Sequence, residues 1–234
     1  MCGIIGAFSK STNKQVKSFN DAREKLKHRG PDDRGLEAFE ICRKNRNELY
    51  GTLVLGHTRL SIFDLSQDGQ QPMYSKDKRF VITFNGEIYN FLELRSLLQT
   101  GGYRFYSKTD TEVLIAAWQK WGIGCVHRLK GMFSFVIFDQ LQNCMYCVRD
   151  AFGIKPFFYS CENCELKFSS EIQGLLELMH VKPEPNWSVA LSYLALGEVD
   201  KYEETFYSGI KHLPPGHYLK LYLQPEANLE IQRW

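Results

Sequence analysis

The chain has 234 residues, 44% hydrophobic and 24% charged, which is enough to bury the core of one globular domain or of two small ones. A net charge of +2 indicates neither a nucleic-acid-binding surface nor an acidic tail. No apolar run approaches the roughly 18 to 20 residues of a membrane span, and residues 4–8 are too few for a signal peptide. The cysteine count is odd, at seven, which fits a reducing compartment. Together with the lack of a predicted membrane span or signal peptide, it predicts a cytoplasmic protein.

The chain begins Met1-Cys2 and continues with small apolar residues to position 8, a pattern that predicts a buried strand. If Met1 is removed, Cys2 carries both a thiol and a free α-amine. The thiolate is the reactive form of cysteine, and an α-amine titrates near pH ~8, so the amine can accept the thiol proton at neutral pH. Cys2 is therefore a candidate nucleophile with its own base, although a chain can begin Met-Cys without any such role.

Residues 18–28 predict a helix, because Phe19, Ala22 and Leu26 recur on one face of it. The helix ends before Gly30-Pro31, and residues 28–35 form a polar loop with two glycines and a proline. Loops of this kind can hold functional groups, but as a composition signal alone they are more often connectors.

Arg59 follows a predicted strand at residues 53–57 and lies within an otherwise apolar run. A guanidinium is seldom buried without an anionic partner, and its planar fork binds a carboxylate through two hydrogen bonds. Arg59 is thus a candidate ligand for a substrate carboxylate. The alternative is a structural ion pair with an acidic residue of the chain, which the residues alone favour slightly.

Residues 80–84 predict a strand that runs directly into Asn85-Gly86-Glu87. Glycine lets a backbone approach a ligand closely, and its N–H and the Asn85 amide can both point at one oxygen, as in an oxyanion hole. Asn-Gly is also the commonest hairpin turn. The residues that follow weaken the hairpin interpretation, because Asn90 with Glu93 forms a capping box ahead of an amphipathic helix.

Asp110 stands at the start of the next predicted helix, whose apolar stripe runs to residue 121. Acidic residues are favoured at a helix N-terminus, which is the simplest explanation for this aspartate. The same position is compatible with binding the ammonium group of a ligand.

The predicted strands at 80–84 and 132–139 are apolar on both alternating faces, which is typical of a sheet covered on both sides. With helices between strand pairs, this favours an α+β fold in which two antiparallel sheets pack together between helices, a four-layer αββα sandwich. Further strands are predicted near 145–149, 157–160, 166–169 and 217–223, and short helices at 171–179 and 188–196. No repeat or linker is present, so we expect a single domain over residues 1–234.

Four cysteines form two pairs, Cys144 with Cys147 and Cys161 with Cys164, whose spacing resembles a structural zinc site. The first pair lies in a predicted strand, where residues i and i+3 point to opposite faces, so one ion would have difficulty binding both. The second pair brackets Glu162-Asn163, a plausible hairpin turn. Buried or incidental thiols are the favoured interpretation, and zinc binding is the alternative.

A set of short motifs in this order strongly resembles the glutaminase domain of glutamine-dependent asparagine synthetase, a class II amidotransferase. The motifs are Met1-Cys2-Gly3-Ile4-Ile5-Gly6, Arg29-Gly30-Pro31-Asp32-Asp33, Gly56-His57-Thr58-Arg59-Leu60-Ser61-Ile62, Gln71-Pro72-Met73, Asn85-Gly86-Glu87-Ile88-Tyr89-Asn90, Thr109-Asp110-Thr111-Glu112, Arg149-Asp150-x-x-Gly153-x-Lys155-Pro156 and Leu213-Pro214-Pro215-Gly216-His217-Tyr218. The resemblance covers nearly the whole chain and implies the αββα fold of N-terminal-nucleophile hydrolases.

The resemblance also implies a role for each unusual residue. Cys2 would attack the side-chain amide of L-glutamine with its own α-amine as base, and Asn85 with the Gly86 N–H would form the oxyanion hole. Arg59 would bind the substrate α-carboxylate, and Glu87 with Asp110 its α-ammonium. Backbone groups of one loop would line the pocket; its residues are Leu60, Ser61, Ile62 and Phe63. A γ-glutamyl thioester would form, ammonia would leave, and water would release glutamate, with no metal or cofactor.

In that family a synthetase domain with a Ser-Gly-Gly-x-Asp-Ser phosphate loop follows, and no such motif occurs before Trp234. We therefore expect ATP and Mg²⁺ to belong only to a synthetase domain or chain that receives the ammonia and makes asparagine from aspartate. A homodimer is left open. The alternatives are ammonia supply to another acceptor, such as a sugar phosphate, or a catalytically silent module that binds zinc or glutamine.

Overall fold

The computed structural model describes residues 1–10, 16–43, 48–62, 64–179, 181–198, 203–225 and 228–234. Two six-stranded sheets form its centre, and all recorded strand pairings within them are antiparallel. No helix among these residues is long and apolar enough to cross a membrane.

The first sheet, sheet A, has the strand order β10-β8-β9-β1-β3-β2. Its strands are β1 (Gly3–Ser9), β2 (Asp33–Cys42), β3 (Leu49–Arg59), β8 (Phe158–Glu162), β9 (Glu165–Ser169) and β10 (Lys211–His212). The second sheet, sheet B, has the order β12-β11-β7-β6-β5-β4. Its strands are β4 (Met73–Tyr74), β5 (Phe80–Ile88), β6 (Gly131–Asp139), β7 (Cys144–Arg149), β11 (His217–Tyr222) and β12 (Leu229–Arg233).

Helices cover the outer face of each sheet. Helix α1 (Val16–Glu24) packs against α4 (Ile172–Leu178) over sheet A, and α2 (Phe91–Thr100) packs against α3 (Asp110–Trp121) over sheet B. A further helix, α5 (Trp187–Leu196), has no buried residue. One large buried cluster lies between the sheets, a second of similar size lies under α2 and α3, and a small third one lies under α1 and α4. The four-layer αββα prediction is therefore confirmed.

Strand β5 shows why both faces of these strands are apolar. Val81 belongs to the cluster between the sheets, whereas Ile82 and Phe84 belong to the cluster beneath α3. Successive side chains of a strand point to opposite faces, so a strand between two cores must be apolar at every position. This is the pattern on which the sequence prediction of an interior sheet rested.

Several local predictions were wrong in detail. Residues 28–35 are not only a loop, because β2 begins at Asp33; an edge strand that starts with polar residues carries little periodic signal. Asn90 occupies the predicted N-cap position of α2, but it makes no side-chain capping bond, because its amide bridges the carbonyl of Arg128 and the N–H of Lys130. The Asn85-Gly86 hairpin alternative is excluded, because β5 continues through Ile88.

The paired cysteines lie in different sheets. Cys144 and Cys147 are buried on β7, whereas Cys161 lies on β8 and Cys164 in the turn between β8 and β9. That turn is Asn163-Cys164 rather than the Glu162-Asn163 predicted, because both of these residues take the positive φ that a two-residue hairpin requires. Within the described ranges, no group of three or more His, Cys, Asp or Glu side chains could hold a metal ion.

Candidate active site

The layer between the two sheets is apolar along most of its length and becomes polar at one end. Ile4 of β1, Leu55 of β3 and Val81 of β5 all contribute to the core of this layer. Because side chains alternate with a period of two, Cys2, His57, Arg59, Asn85 and Glu87 must face the same layer. Three strands from two sheets thus bring their polar residues to one place.

Asn85 is fully buried, and neither its side-chain nitrogen nor its oxygen has a hydrogen-bond partner among the described residues. A buried polar group without a partner costs about 1–3 kcal/mol, so such a group in a folded protein calls for an explanation. The backbone that carries it is held rigidly. The neighbouring Phe84 donates its N–H to Gln71 Oε1 at 2.7 Å, and its carbonyl accepts from His57 Nε2 at 3.0 Å.

The Gly86 N–H is not used in the pairing of β5 with β6. Opposite Gly86, Phe133 exchanges hydrogen bonds with Asp150 and so turns its backbone away from β5. Gly86 therefore directs its N–H away from β6, in the same direction as two N–H groups that flank it. Of these, Phe84 N–H is taken by Gln71 and Ile88 N–H by Asp110 Oδ2, at 3.0 Å.

No residue other than glycine fits at position 86. A Cβ there would lie 2.4 Å from the Met132 carbonyl oxygen. Gly86 and Asn85 are neighbours on the wall of one cavity.

Cys2 precedes β1 and meets the end of β3. The backbone N–H of Leu60 donates to its sulfur at 3.4 Å, and the Arg29 guanidinium donates from Nε to its carbonyl oxygen at 2.9 Å. Arg29 is buried and also pairs with Glu171 at 2.8 Å, so it ties the start of the chain to α4. Burial raises the pKa of the Cys2 thiol, and the Leu60 N–H opposes that rise.

The Arg59 guanidinium organises the loop after β3. It donates to the carbonyl of Ser66 at 2.8 Å and to that of Asp64, and it makes no ion pair with a carboxylate of the described residues. The structural ion pair considered above is therefore absent from this part of the chain. Since a guanidinium has five donors and these bonds occupy two nitrogens, others remain for a ligand in the cavity that Arg59 lines.

Asp110 is the first residue of α3, where Thr109 provides the N-cap by accepting from the Glu112 N–H at 3.1 Å. The Asp110 carboxylate is nonetheless directed into the interior and is buried. Burial, with a contribution from the charge of Glu87, raises the pKa of Asp110 to about 6. Two carboxylates side by side in a buried cavity favour a cationic ligand, because it would stabilise their ionised forms.

A cavity of about 190 Å³, several times the roughly 30 Å³ that one water molecule occupies in the liquid, lies at this polar end of the layer. Its wall includes most of the predicted site residues, namely Cys2, Arg59, Leu60, Ile62, Asn85, Gly86, Glu87 and Asp110. Ser61 is not among the residues that line this cavity, and its N–H donates to Asp32 Oδ2 at 2.8 Å, so its predicted contact with a substrate stays a prediction. Phe63 lies outside the described residues.

Sequence reasoning gave no site role to several residues that shape the cavity. Lys155 is on its wall, and Gln71 and His57 hold the backbone beside Asn85. Burial lowers the pKa of His57 to about 4, so the ring is neutral and donates its Nε2–H to the carbonyl of Phe84. Their appearance in the quoted motifs was the available signal, but only the packing of the two sheets shows what they touch.

A family model described as a glutamine amidotransferase domain matches residues 1–234. The chain belongs to this family. The resemblance identified from the motifs is thereby confirmed.

Curated relatives of this amidotransferase domain are named as glutamine-hydrolysing asparagine synthetases. A putative one from Methanocaldococcus jannaschii is 37% identical over 232 residues, covering 88% of the chain and 42% of the relative. One from Bacillus subtilis is 36% identical over 245 residues, covering 100% of the chain and 30% of the relative. One from Asparagus officinalis is 39% identical over 178 residues, covering 75% of the chain and 28% of the relative. The chain thus spans less than half the length of these relatives.

The fold is shared with a solved glutamine phosphoribosylpyrophosphate amidotransferase from B. subtilis, complexed with ADP and GMP. That structure superposes with a TM-score of 0.68 at 18% identity, and the match covers 99% of this chain and 49% of the amidotransferase chain. At this level of identity the likeness concerns the fold alone.

Substituting Gly69→Ala should displace the Arg59 guanidinium, because the added Cβ would lie 2.0 Å from Nη2. The far end of a long side chain can move, so we expect a nearly unchanged melting temperature. If Arg59 binds the carboxylate of L-glutamine, as the resemblance implies, loss of this charge-assisted pair should weaken L-glutamine binding about 10- to 100-fold. Calorimetric titration with L-glutamine measures this in a Cys2→Ala background, which prevents hydrolysis during the titration. Gly124→Ala is the matched control, since a Cβ there meets nothing within 4 Å; equal binding by both variants would contradict the role of Arg59.

Substituting Asp110→Asn should change how stability depends on pH. The pKa of Asp110 is about 6 in the folded protein and near 3.8 without burial, so the folded form retains a proton that the unfolded chain has lost between these values. Stability therefore falls as pH rises from about 4 to 6, by roughly 2 to 3 kcal/mol for this group, and Asp110→Asn should lack that fall. Urea unfolding at pH 4 and pH 7 tests this, with the exposed Asp21→Asn as control. Parallel pH dependences of Asp110→Asn and wild type would refute it.

Proposed function

We propose that this amidotransferase domain hydrolyses L-glutamine to glutamate and ammonia with Cys2 as the nucleophile. The observation that carries the proposal is the buried amide of Asn85, which has no hydrogen-bond partner among the described residues and lines the same cavity as Gly86 and Cys2. Donors placed in advance around an empty position stabilise negative charge that develops on a substrate oxygen. A thiol next to such a position suits acyl transfer from an amide.

Each end of the cavity matches one part of L-glutamine. Arg59 would bind the α-carboxylate, and Glu87 with Asp110 would bind the α-ammonium. Leu60, Ser61, Ile62 and Phe63, the loop after β3, complete the proposed pocket, with Leu60 and Ile62 the members that line the cavity. The side-chain amide would then extend toward Cys2.

The chemistry needs the free α-amine of Cys2. While Met1 is attached, the Cys2 nitrogen is an amide and cannot take up a proton, so removal of Met1 comes first. The amine then accepts the thiol proton, and sulfur attacks the amide carbon to give an oxyanion held by Asn85 and Gly86. Collapse with proton transfer to nitrogen releases ammonia and leaves a γ-glutamyl thioester, which water hydrolyses to glutamate. No cofactor is needed for these steps.

We further propose that the ammonia passes to a synthetase domain or chain that makes asparagine from aspartate with ATP and Mg²⁺, as the names of the relatives suggest. Two loops that reach the cavity support a docking partner here, because both expose apolar side chains. These are Ile62 and Leu65 in the loop after β3, and Phe152 and Ile154 in the loop after β7. Exposed apolar clusters of this kind mark interaction sites.

The test compares glutamate release from L-glutamine by the Met1-free protein and by Cys2→Ala and Asn85→Ala variants of it. We expect no activity from Cys2→Ala and a kcat lower by about 10² to 10³ for Asn85→Ala, because one oxyanion donor is lost. Intact mass confirms the processing of each sample, and melting temperatures confirm the fold. Equal glutamate release by wild type and Cys2→Ala would overturn the proposal.

A further inference from the structure

Lys155 is a lysine in an unusual position. Its side chain is only 3% exposed and lies on the wall of the cavity that holds Cys2 and Asn85. None of the recorded hydrogen bonds or ion pairs of the described residues involves its ammonium group. Lysine is rarely buried without a partner, because an ammonium ion is costly to remove from water.

The backbone of Lys155 is held rigidly by an Arg149-Asp150 clamp. The buried Asp150 carboxylate accepts four N–H groups, from Phe133, Phe152, Ile154 and Lys155, at 2.9–3.2 Å. The Arg149 guanidinium donates to the carbonyls of Lys155, Gly153 and Leu213 at 2.7–2.9 Å. The loop thus has a single conformation that presents Phe152 outward, 84% exposed, and Lys155 inward.

This clamp places the Lys155 backbone close to the strand pair that carries Gly86. The carboxylate that binds the Lys155 N–H also binds the Phe133 N–H, and Phe133 is the residue paired with Gly86. Burial lowers the pKa of Lys155, while the negative charges of Glu87, Cys2 and Asp150 oppose that effect and Arg29 adds to it. Cys2 and Lys155 also line the same cavity, so the thiol and the ammonium share one largely enclosed space.

We propose that Lys155 is a positioning residue for the nucleophile, with its ammonium stabilising the thiolate form of Cys2 across the cavity. The inference rests on the proposed function only for the identity of the nucleophile. Stabilisation is needed because burial and the charge of Asp110 both disfavour the thiolate. The groups that oppose them are the Leu60 N–H, the chain-terminal amine and Arg59, and Arg59 also binds two carbonyls of its own loop.

All charged groups near the two partners must be considered together. Around Cys2 and Lys155 these are the chain-terminal amine, Arg29 after α1, Arg59 at the end of β3, Glu87 on β5, Asp110 on α3 and Asp150 after β7, and Asp64 in the loop after β3 lines the same cavity. Arg29 is paired with Glu171, and Asp150 with four N–H groups. The Lys155 ammonium is in no ion pair with a carboxylate of the described residues, so no direct salt bridge competes with the thiolate for its charge.

The test is the rate of Cys2 alkylation by iodoacetamide as a function of pH, followed by mass spectrometry of the N-terminal peptide of the Met1-free protein. An opposite charge within about 4–6 Å typically lowers an acidic pKa by 1 or more. We expect Lys155→Met to react about tenfold more slowly than wild type at neutral pH, with its pH midpoint shifted upward, and Lys155→Arg to recover most of the loss. Lys76→Met, which removes an exposed and remote charge, should behave as wild type.

Wild-type alkylation rates in Lys155→Met, or an equal slowing in Lys76→Met, would overturn the proposal. A reciprocal measurement avoids any change at position 155, should Lys155→Met fail to fold. Coupling between two sites acts equally in both directions, so Lys155 should lose its proton at a lower pH in Cys2→Ala than in wild type. A ¹³C NMR titration of the lysine ε-carbons measures this, and identical Lys155 titrations would contradict the coupling. Both readouts are independent of glutamate release. The Lys155 proposal can therefore fail while the proposed function stands, and the proposed function can fail while the coupling of Lys155 to Cys2 is observed.

Discussion

The alternation of side chains along strands is the constraint on which this site depends. In β1, β3 and β5, the same parity that puts Ile4, Leu55 and Val81 into the core puts Cys2, Arg59 and Asn85 at its polar end. A shift of one residue in any of these strands would turn its functional side chain to the opposite face. The packing of the two sheets therefore sets the geometry of the cavity, and the large core between them keeps it in register.

Several buried polar and charged groups of the cavity destabilise the folded protein when no ligand is bound. The unbonded amide of Asn85, the buried carboxylate of Asp110 and the buried ammonium of Lys155 each disfavour the folded state in the absence of a ligand. They remain in place because other contacts fix the surrounding backbone. His57 and Gln71 hold the backbone of Phe84, and the Asp150 carboxylate holds the N–H of Lys155. Groups held in advance in this way need little reorganisation when a substrate enters.

Much of this organisation could be predicted from the sequence, but not all of it. Runs such as residues 80–84 and 132–139 predicted a sheet with two buried faces, since a strand must be apolar throughout to lie between two cores. The order of the motifs identified the family and, with it, Cys2, Arg59, Asn85 and Asp110. The residues alone could not show the tertiary contacts. The neutral His57 that holds Phe84, the direction of the Ser61 N–H and the burial of Lys155 all depend on contacts between segments far apart in the chain.

The central claim is that Cys2, freed from Met1, is a nucleophile placed for the side-chain carbonyl of glutamine. The most direct test is the intact mass of the protein after treatment with an L-glutamine analogue that carries an electrophilic diazoketone in place of the amide. The account predicts one label per chain, located on Cys2, that appears only after Met1 is removed and is suppressed by excess L-glutamine. A label on another cysteine, or equal labelling with Met1 still attached, would contradict it.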